Sequence, residues 1–418
     1  MTWNGLILGR RGAKVGRAIG YTGRVQPPAD AGELITYRGD GHIMTFAPTG
    51  TGKTSGPVIC NALDYPGQLI VLDIKGEVHA ATARRRREMG QEVHVLDLRD
   101  GGEQGSLNPL DLAVRGGSDP GAIARSFAAD MIERGAVEKD RFWNDWAETM
   151  IAGGVAWLIE DCPSEERCLS RLFDLLTADN TDYGLAVLLD KKPKSRAAHK
   201  AFSAFLDLPE RETRPSVLGS TQTHLRLFDS DLTRRVTDTT SFDLDAFIAG
   251  EPMSLYIIVP PVRLNAYRPL LRMWLSGLML ALTQRTSGKR TLMLCDEIGN
   301  LGRIEAFLIA CTLMRSWGLT LWSFWQNPAQ LQIYGAQANT LIDNAGVVQV
   351  FGARNRRLAQ ELANLVGGVD GEAIMKMGQD KQMLLIEGRQ MQCRQTRYYE
   401  DEEFRGLFKE RKAAVRTV

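Results

Sequence analysis

Lys53 and Thr54 stand near the end of the run Phe46-Ala47-Pro48-Thr49-Gly50-Thr51-Gly52-Lys53-Thr54-Ser55, whose residue types and spacing fit a phosphate-binding loop. Glycines at 50 and 52 let backbone N–H groups approach a triphosphate, Lys53 reaches its outer phosphates, and the Thr54 hydroxyl ligates Mg²⁺. The expected nucleotide-binding set is therefore Thr49, Gly50, Thr51, Gly52, Lys53, Thr54 and Ser55. Ala47 takes the place of the first glycine of the strict pattern, a minor departure. Far downstream, Asp296 and Glu297 close the apolar run Thr291-Leu-Met-Leu-Cys295, the form of a Walker B strand. Asp296 is then a metal ligand with Thr54, and Glu297 polarises the attacking water, the two tasks that phosphoryl transfer leaves to carboxylates. Gln326 ends a further strand pattern, Leu319 to Trp325; it either senses the γ-phosphate and orients water or simply terminates the strand. The chemistry so described is Mg-dependent hydrolysis of ATP.

Such a site needs strands that end side by side. His42–Phe46 is the expected strand into the loop, and Lys53 onward opens a helix. Gln68–Ile74, Glu92–Leu98, Met253–Pro260, Thr291–Glu297, Leu319–Trp325 and Gly346–Phe351 read as further strands, the early ones separated by helical stretches. Apolar strands alternating with helices predict a mainly parallel sheet covered on both faces, an α/β fold. A hairpin of Met383–Glu387 with Gln392–Tyr398 completes the sheet, and residues 1–41, with their turn at Pro27-Pro28, wrap its edge. Asp73, followed by Lys75-Gly76-Glu77, either shapes the nucleotide site or caps a helix in a solvated turn. From about Asp119 to Arg235 strand signals vanish, and from Phe142 to Leu158 apolar residues recur three and four apart, so one helix face is buried. The expected division is 1–117 with 237–418 as a discontinuous nucleotide-binding domain and 118–236 as an inserted all-α domain.

Fifty-one Lys and Arg against 50 Asp and Glu leave a net charge of +1, so any nucleic-acid contact comes from a local basic surface. The run Arg84-Arg85-Arg86-Arg87 is one candidate, but four consecutive residues point all round a helix, and a solvated face is the preferred reading. The six cysteines lack Cys-x-x-Cys spacing and the five histidines lack metal-ligand spacing, so neither a disulfide scaffold nor a structural zinc is expected. No run reaches the length of a membrane span and no signal peptide opens the chain, which reads as soluble.

With these residues in view, the chain resembles the TraG/TrwB-type coupling proteins of type IV secretion and conjugation, in the RecA-like HerA/FtsK branch of P-loop ATPases. The resemblance runs from Gly39 to Tyr399. It rests on Gly41-His42, Ala47-Pro48-Thr49, Val71 to Glu77, Leu107-Asn-Pro-Leu-Asp111, Asp296 to Gly302, Gln330 to Gly335 and Tyr398-Tyr399. It implies a RecA-like ATPase domain with an all-helical insertion, six-fold rings around a central channel, and an arginine acting across the subunit interface. Arg315 occupies that arginine's position, Gln326 matches the polar residue of the next strand, and Arg354 is the reserve arginine.

The resemblance further implies a coupling protein that recruits DNA, single-stranded or relaxase-bound, and pumps it into a secretion channel. Its partners would be the channel ATPases and inner-membrane components. A homo-hexamer is the active form expected, with a monomer in isolation, at the cytoplasmic face of the inner membrane. The anchor common in the family is missing from this chain, by nature or by removal. Two other functions compete: an ATP-switched adaptor that recruits substrate proteins, and a HerA- or FtsK-like DNA translocase outside secretion.

Overall fold

Among the described residues there are eleven strands, most of them runs rich in apolar residues; β11, Arg389–Arg394, is polar. They are β1 (Leu6–Arg10), β2 (Leu34–Tyr37), β3 (His42–Phe46), β4 (Gln68–Asp73), β5 (Glu92–Asp97) and β6 (Met253–Ile258). The rest are β7 (Thr291–Cys295), β8 (Leu319–Trp325), β9 (Ala345–Phe351), β10 (Lys381–Ile386) and β11 (Arg389–Arg394). The computed structural model describes residues 3–12, 32–103, 105–117, 119–132, 134 and 141–409; the expected Pro27-Pro28 turn lies outside them. All eleven strands join one sheet in the order β2-β1-β11-β10-β9-β3-β8-β7-β4-β6-β5. The block from β9 to β5 is parallel throughout, and the four remaining strands add to it antiparallel.

The N-terminal stretch corrects the expectation of a wrapping coil. β1 is wholly buried, and Asn61 of α1 (Ile59–Asp64) fixes it, accepting the Ile7 N–H and donating to the Ile7 carbonyl, both at 2.8 Å. Gly-rich flanks hid these short strands. The terminal hairpin is also tighter than expected: Glu387 and Gly388, with φ of +48° and +80°, make the two-residue turn, and the chain beyond Arg394 leaves the sheet. A buried polar chain ties the antiparallel edge to the parallel block. Trp322 donates to Thr45, Thr45 to Gln349, Gln349 to Gln382, and Gln382 to the Leu8 carbonyl, at 2.6–2.8 Å. Slipping any of these strands by one residue would orphan buried groups, so the chain fixes register.

α2 (Glu77–Glu88) crosses from β4 to β5. The arginine run is a solvated face at Arg84 and Arg87, which are exposed, but Arg86 is completely buried, donating to Ser254 and to the carbonyls of Tyr65 and Gly67. Between β5 and β6 the described residues contain helices and no strand. These are α3 (Pro109–Arg115), α4 (Pro120–Met131), α5 (Arg141–Glu160), α6 (Leu169–Thr177) and α7 (Thr181–Asp190). α8 (Arg196–Leu206), α9 (Thr213–Leu225), α10 (Asp231–Thr237) and α11 (Leu244–Ala249) follow. Asn108 and Asp119 cap α3 and α4 through the N–H groups of Leu110 and Ala122, each before a proline at the first helical position. The aromatic first turn of α5 is less buried than its periodicity suggests: Phe142 is exposed, and full burial begins at Ala147.

The remaining helices are α12 (Leu264–Leu282), α13 (Glu305–Leu313), α14 (Ala338–Asp343), α15 (Arg356–Val366) and α16 (Gly371–Lys376). α12 is the joint between sheet and helical segment: apolar side chains of both belong to one continuous core around Trp274, whose indole donates to the Leu107 carbonyl at 2.8 Å. Among the described residues no helix is long and apolar enough to cross a membrane.

At this joint Asp130 of α4 is buried, and burial pushes its carboxyl up to about 6 against the pull of Ser276 and Arg272 on α12. In the unfolded chain it ionises near 3.8. The folded state therefore binds the extra proton between these values, so this group's contribution to stability is full below about pH 4 and lost as pH rises through 6. Asp130→Asn should exceed the wild type in stability at pH 7, by up to about 3 kcal/mol for a shift of two units, and lose that advantage at pH 4. Urea midpoints at the two pH values measure it; a gap independent of pH would contradict it.

Candidate active site

β8 lies between β3 and β7 in the sheet. The loop leaving β3, the acids leaving β7 and the glutamine leaving β8 therefore emerge side by side at the carboxyl edge, where open α/β sheets bind ligands. The Ala47 N–H donates to the Trp325 carbonyl at 2.8 Å, anchoring the loop's start on β8. Thr51 folds the loop back, its hydroxyl donating to the Pro48 carbonyl at 2.6 Å. Gly50 and Gly52 have φ of +78° and +95°, a region that L side chains rarely adopt. Ser55 closes the turn, donating to the Gly52 carbonyl at 3.3 Å.

The Lys53 side chain is buried and runs from this loop to the acids. Its ammonium pairs with Glu297 Oε1 and lies 3.6 Å from Asp296 Oδ1. The Thr54 hydroxyl donates to Asp296 Oδ2 at 2.8 Å. Glu297 has a φ of +62°, uncommon for a residue with a side chain, and this left-handed turn directly after the strand brings its carboxylate to Lys53. Gln326 Nε2 and Asn300 Nδ2 both donate to Glu297 Oε2, at 2.7 and 2.9 Å.

These contacts set the charges. Burial would raise the Glu297 carboxyl, but Lys53, Gln326 and Asn300 outweigh it and hold the group below the usual glutamate range, so it is ionised at neutral pH. Burial raises Asp296, partly offset by Lys53 and Thr54. Among the described residues the buried Asp296 Oδ1 has no hydrogen-bond partner. A divalent cation beside Thr54 would satisfy it, so the donor set fits Mg²⁺. Asp73 is buried, which corrects the reading of a solvated turn, although its carboxylate does cap a helix. Its carboxylate accepts the His79 N–H at 2.8 Å at the start of α2, and it lines the cleft facing Lys53 and Thr54. Burial pushes it up to about 6, with the N–H groups of His79, Lys75 and Gly76 opposing. The cleft holds about 420 Å³, lined by Thr49, Gly50 and Gly52 on one side and by Asp296, Glu297 and Asn300 on another.

Lys53, Thr54, Asp296, Glu297 and Gln326 thus converge, and Arg315 does not join them. It sits on the turn before β8 and pairs with Asp40 at 2.6 Å, both side chains more than half exposed. Seven residues of β8 separate that turn from Gln326, about 20 Å of strand. Arg354 lies beyond β9, exposed, beside a small cavity that it shares with Thr51. Asn300 has a place at the site that the sequence reading gave no role, and Arg397 lies behind the loop against Gly52. For Asn300 the signal was its spacing of three residues from Glu297, one turn later. For Arg397, which lies against Gly52, nothing local marks it.

The pattern of the family described as "Type IV secretory system Conjugative DNA transfer" matches residues 12–371. The conjugal transfer protein TraG of Escherichia coli is 23% identical over 373 residues, covering 83% of this chain and 58% of TraG. VirD4 of Rhizobium radiobacter is 25% identical over 426 residues, covering 92% and 61%. The chain therefore spans about six tenths of the length of these relatives. Among solved structures, the plasmid coupling protein TrwB with the ATP analogue ADPNP superposes with a TM-score of 0.65 at 16% identity, covering 95% of each chain. At that identity the likeness is one of fold, and with the strand order above it makes this the RecA-like P-loop NTPase fold that the sequence predicts.

Proposed function

We propose, for a chain that belongs to the type IV secretory system conjugative DNA transfer family, that it hydrolyses ATP to move DNA toward a secretion channel. The observation that carries the reading is the meeting of Lys53, Thr54, Asp296, Glu297 and Gln326 in one cleft. TrwB, which shares the fold, has been solved with ADPNP and with ADP and Mg²⁺.

Lys53 leaves Glu297 for the β- and γ-phosphates when ATP enters, freeing the carboxylate to face water. Thr54 and Asp296 would hold Mg²⁺, which would supply positive charge against that developing on the phosphate. Glu297 takes a proton as the water oxygen bonds to the γ-phosphorus and the bond to the β-phosphate oxygen breaks. Gln326 and Asn300 hold the carboxylate in line. Thr49, Gly50, Thr51, Gly52 and Ser55 complete the cradle.

The segment 118–236 acts as an inserted all-α domain in a nucleotide-binding domain made of 1–117 and 237–418. The working form is a homo-hexameric ring in which Arg315 completes the site of the neighbouring subunit. DNA, single-stranded or carrying its relaxase, is the substrate. The ring works at the cytoplasmic face of the inner membrane, beside the channel ATPases and inner-membrane components.

The test is ATP hydrolysis with and without single- and double-stranded DNA over a salt series, with Lys53→Ala as control. Stimulation by DNA that fades with salt, as counterion release requires, and that is absent in the variant supports the motor. Hydrolysis indifferent to DNA in assembled rings would favour a protein-recruiting adaptor.

A further inference from the structure

The chain beyond β11 returns to the phosphate-binding loop. Residues 396–398 lie along it: the Tyr398 N–H donates to the Ser55 carbonyl at 3.1 Å, and the Thr396 carbonyl and the Arg397 guanidinium press against Gly56 and Gly52. A Cβ on Gly52 would meet Arg397 Nη1 at 2.7 Å, and one on Gly56 would meet the Thr396 oxygen at 2.8 Å. The contact at Gly56 needs glycine because a backbone oxygen stands there, and Gly52 needs it for its φ of +95°. A tight turn holds the strap, with the Arg397 N–H on the Asp401 carboxylate at 2.9 Å and the Arg397 carbonyl accepting from Glu400 and Asp401, both at 3.0 Å.

Among the described residues the guanidinium itself has only neutral partners. It donates to the Gln379 carbonyl at 3.1 Å and to the Tyr399 hydroxyl at 3.3 Å. Among the described residues no carboxylate lies within 4 Å of it, whereas Arg10, Arg99 and Arg315 each have one. The nearby Asp401 is engaged by the Arg10 side chain. An arginine positioned by backbone, held by neutral acceptors and seated on the glycine before Lys53 is suited to an anion, and its planar fork matches phosphate oxygens.

We propose that Arg397 is a phosphate-binding residue of the same chain, contacting the nucleotide beside Gly52 and clasping the C-terminal strap over the occupied loop. The inference rests on the reading that this cleft takes a nucleoside triphosphate. It makes Arg397 distinct from Arg315, which serves a neighbour: Arg397 acts on binding in a single chain. It also gives Tyr399 a positioning role, through its hydroxyl on the guanidinium.

The experiment measures affinity for a fluorescent ADP with Mg²⁺ in wild type, Arg397→Ala, Arg397→Lys and Tyr399→Phe, together with thermal unfolding of each without nucleotide. The expected result is about 10- to 100-fold weaker binding for Arg397→Ala, the worth of one charged hydrogen-bonded contact. Arg397→Lys should recover part of the loss, Tyr399→Phe should lose a few-fold, and the nucleotide-free melting temperatures should stay together. Equal affinity of Arg397→Ala and wild type would overturn the proposal, as would a loss that tracks a fall in melting temperature and is not relieved by lysine. A wild type that binds no nucleotide would instead sink the underlying reading of the cleft, a different outcome from either.

Discussion

Glu297→Gln should leave Mg·ATP bound and lower its turnover by about 10²–10⁴-fold, the usual worth of a positioned general base. The exchange keeps the side chain's shape, and an amide oxygen can still accept from Gln326 and Asn300, which hold the native carboxylate at 2.7 and 2.9 Å. Two things change. The base can no longer take a proton from water, and Lys53 loses the carboxylate on which it rests in the empty cleft. The second change predicts tighter ATP binding in the variant than in the wild type, because phosphate no longer competes with an internal anion for the ammonium. Lys53→Ala should do the reverse, weakening binding of ATP and leaving Glu297 uncompensated. Equilibrium binding and single-turnover hydrolysis of both variants separate these effects. Turnover in Glu297→Gln within a few-fold of wild type would move the base elsewhere, with Asp73, on the same cleft, as the next carboxylate to examine.

Much of this site was legible because its parts are local. The phosphate loop and the two acids are each written in a handful of consecutive residues, and β8 is read from Leu319 to Trp325 with the bounds it has in the fold. The contact of Gln326 with Glu297 follows once strand order is known, since β8 alone separates β3 from β7. What could not be read depends on chain returning from a distance. β1 is five residues long with a glycine inside, yet it is buried because Asn61 and the Gln349–Gln382 pair bond its backbone. Arg86 sits in a run of four arginines whose helical positions look equivalent; only the carbonyls of Tyr65 and Gly67 and the Ser254 hydroxyl, all from other elements, decide that this one goes inside. Arg397 is 344 positions after Lys53, and no spacing rule connects them.

Arg315→Ala tests the part of the reading that no single chain can display. Within its own chain the side chain is spent on an exposed ion pair with Asp40, worth less than about 1 kcal/mol after solvent screening. The variant should therefore fold and bind ATP as the wild type does, while DNA-stimulated turnover falls by up to about 10³–10⁵-fold, the range of an arginine supplied in trans. The decisive step is mixing. A site in a ring would take Glu297 from one subunit and Arg315 from the next, so neither Arg315→Ala nor Glu297→Gln alone has a complete one. Equal amounts combined at random leave about one interface in four with both groups intact, because each heterologous contact draws the two halves from different subunits. The mixture should then recover roughly a quarter of wild-type turnover, although each variant alone is nearly inactive. Recovery that appears only where subunits assemble identifies Arg315 as the shared residue. Full activity in Arg315→Ala, or no recovery from mixed rings, would transfer that role to Arg354, which already stands at the carboxyl edge of the sheet beside Thr51.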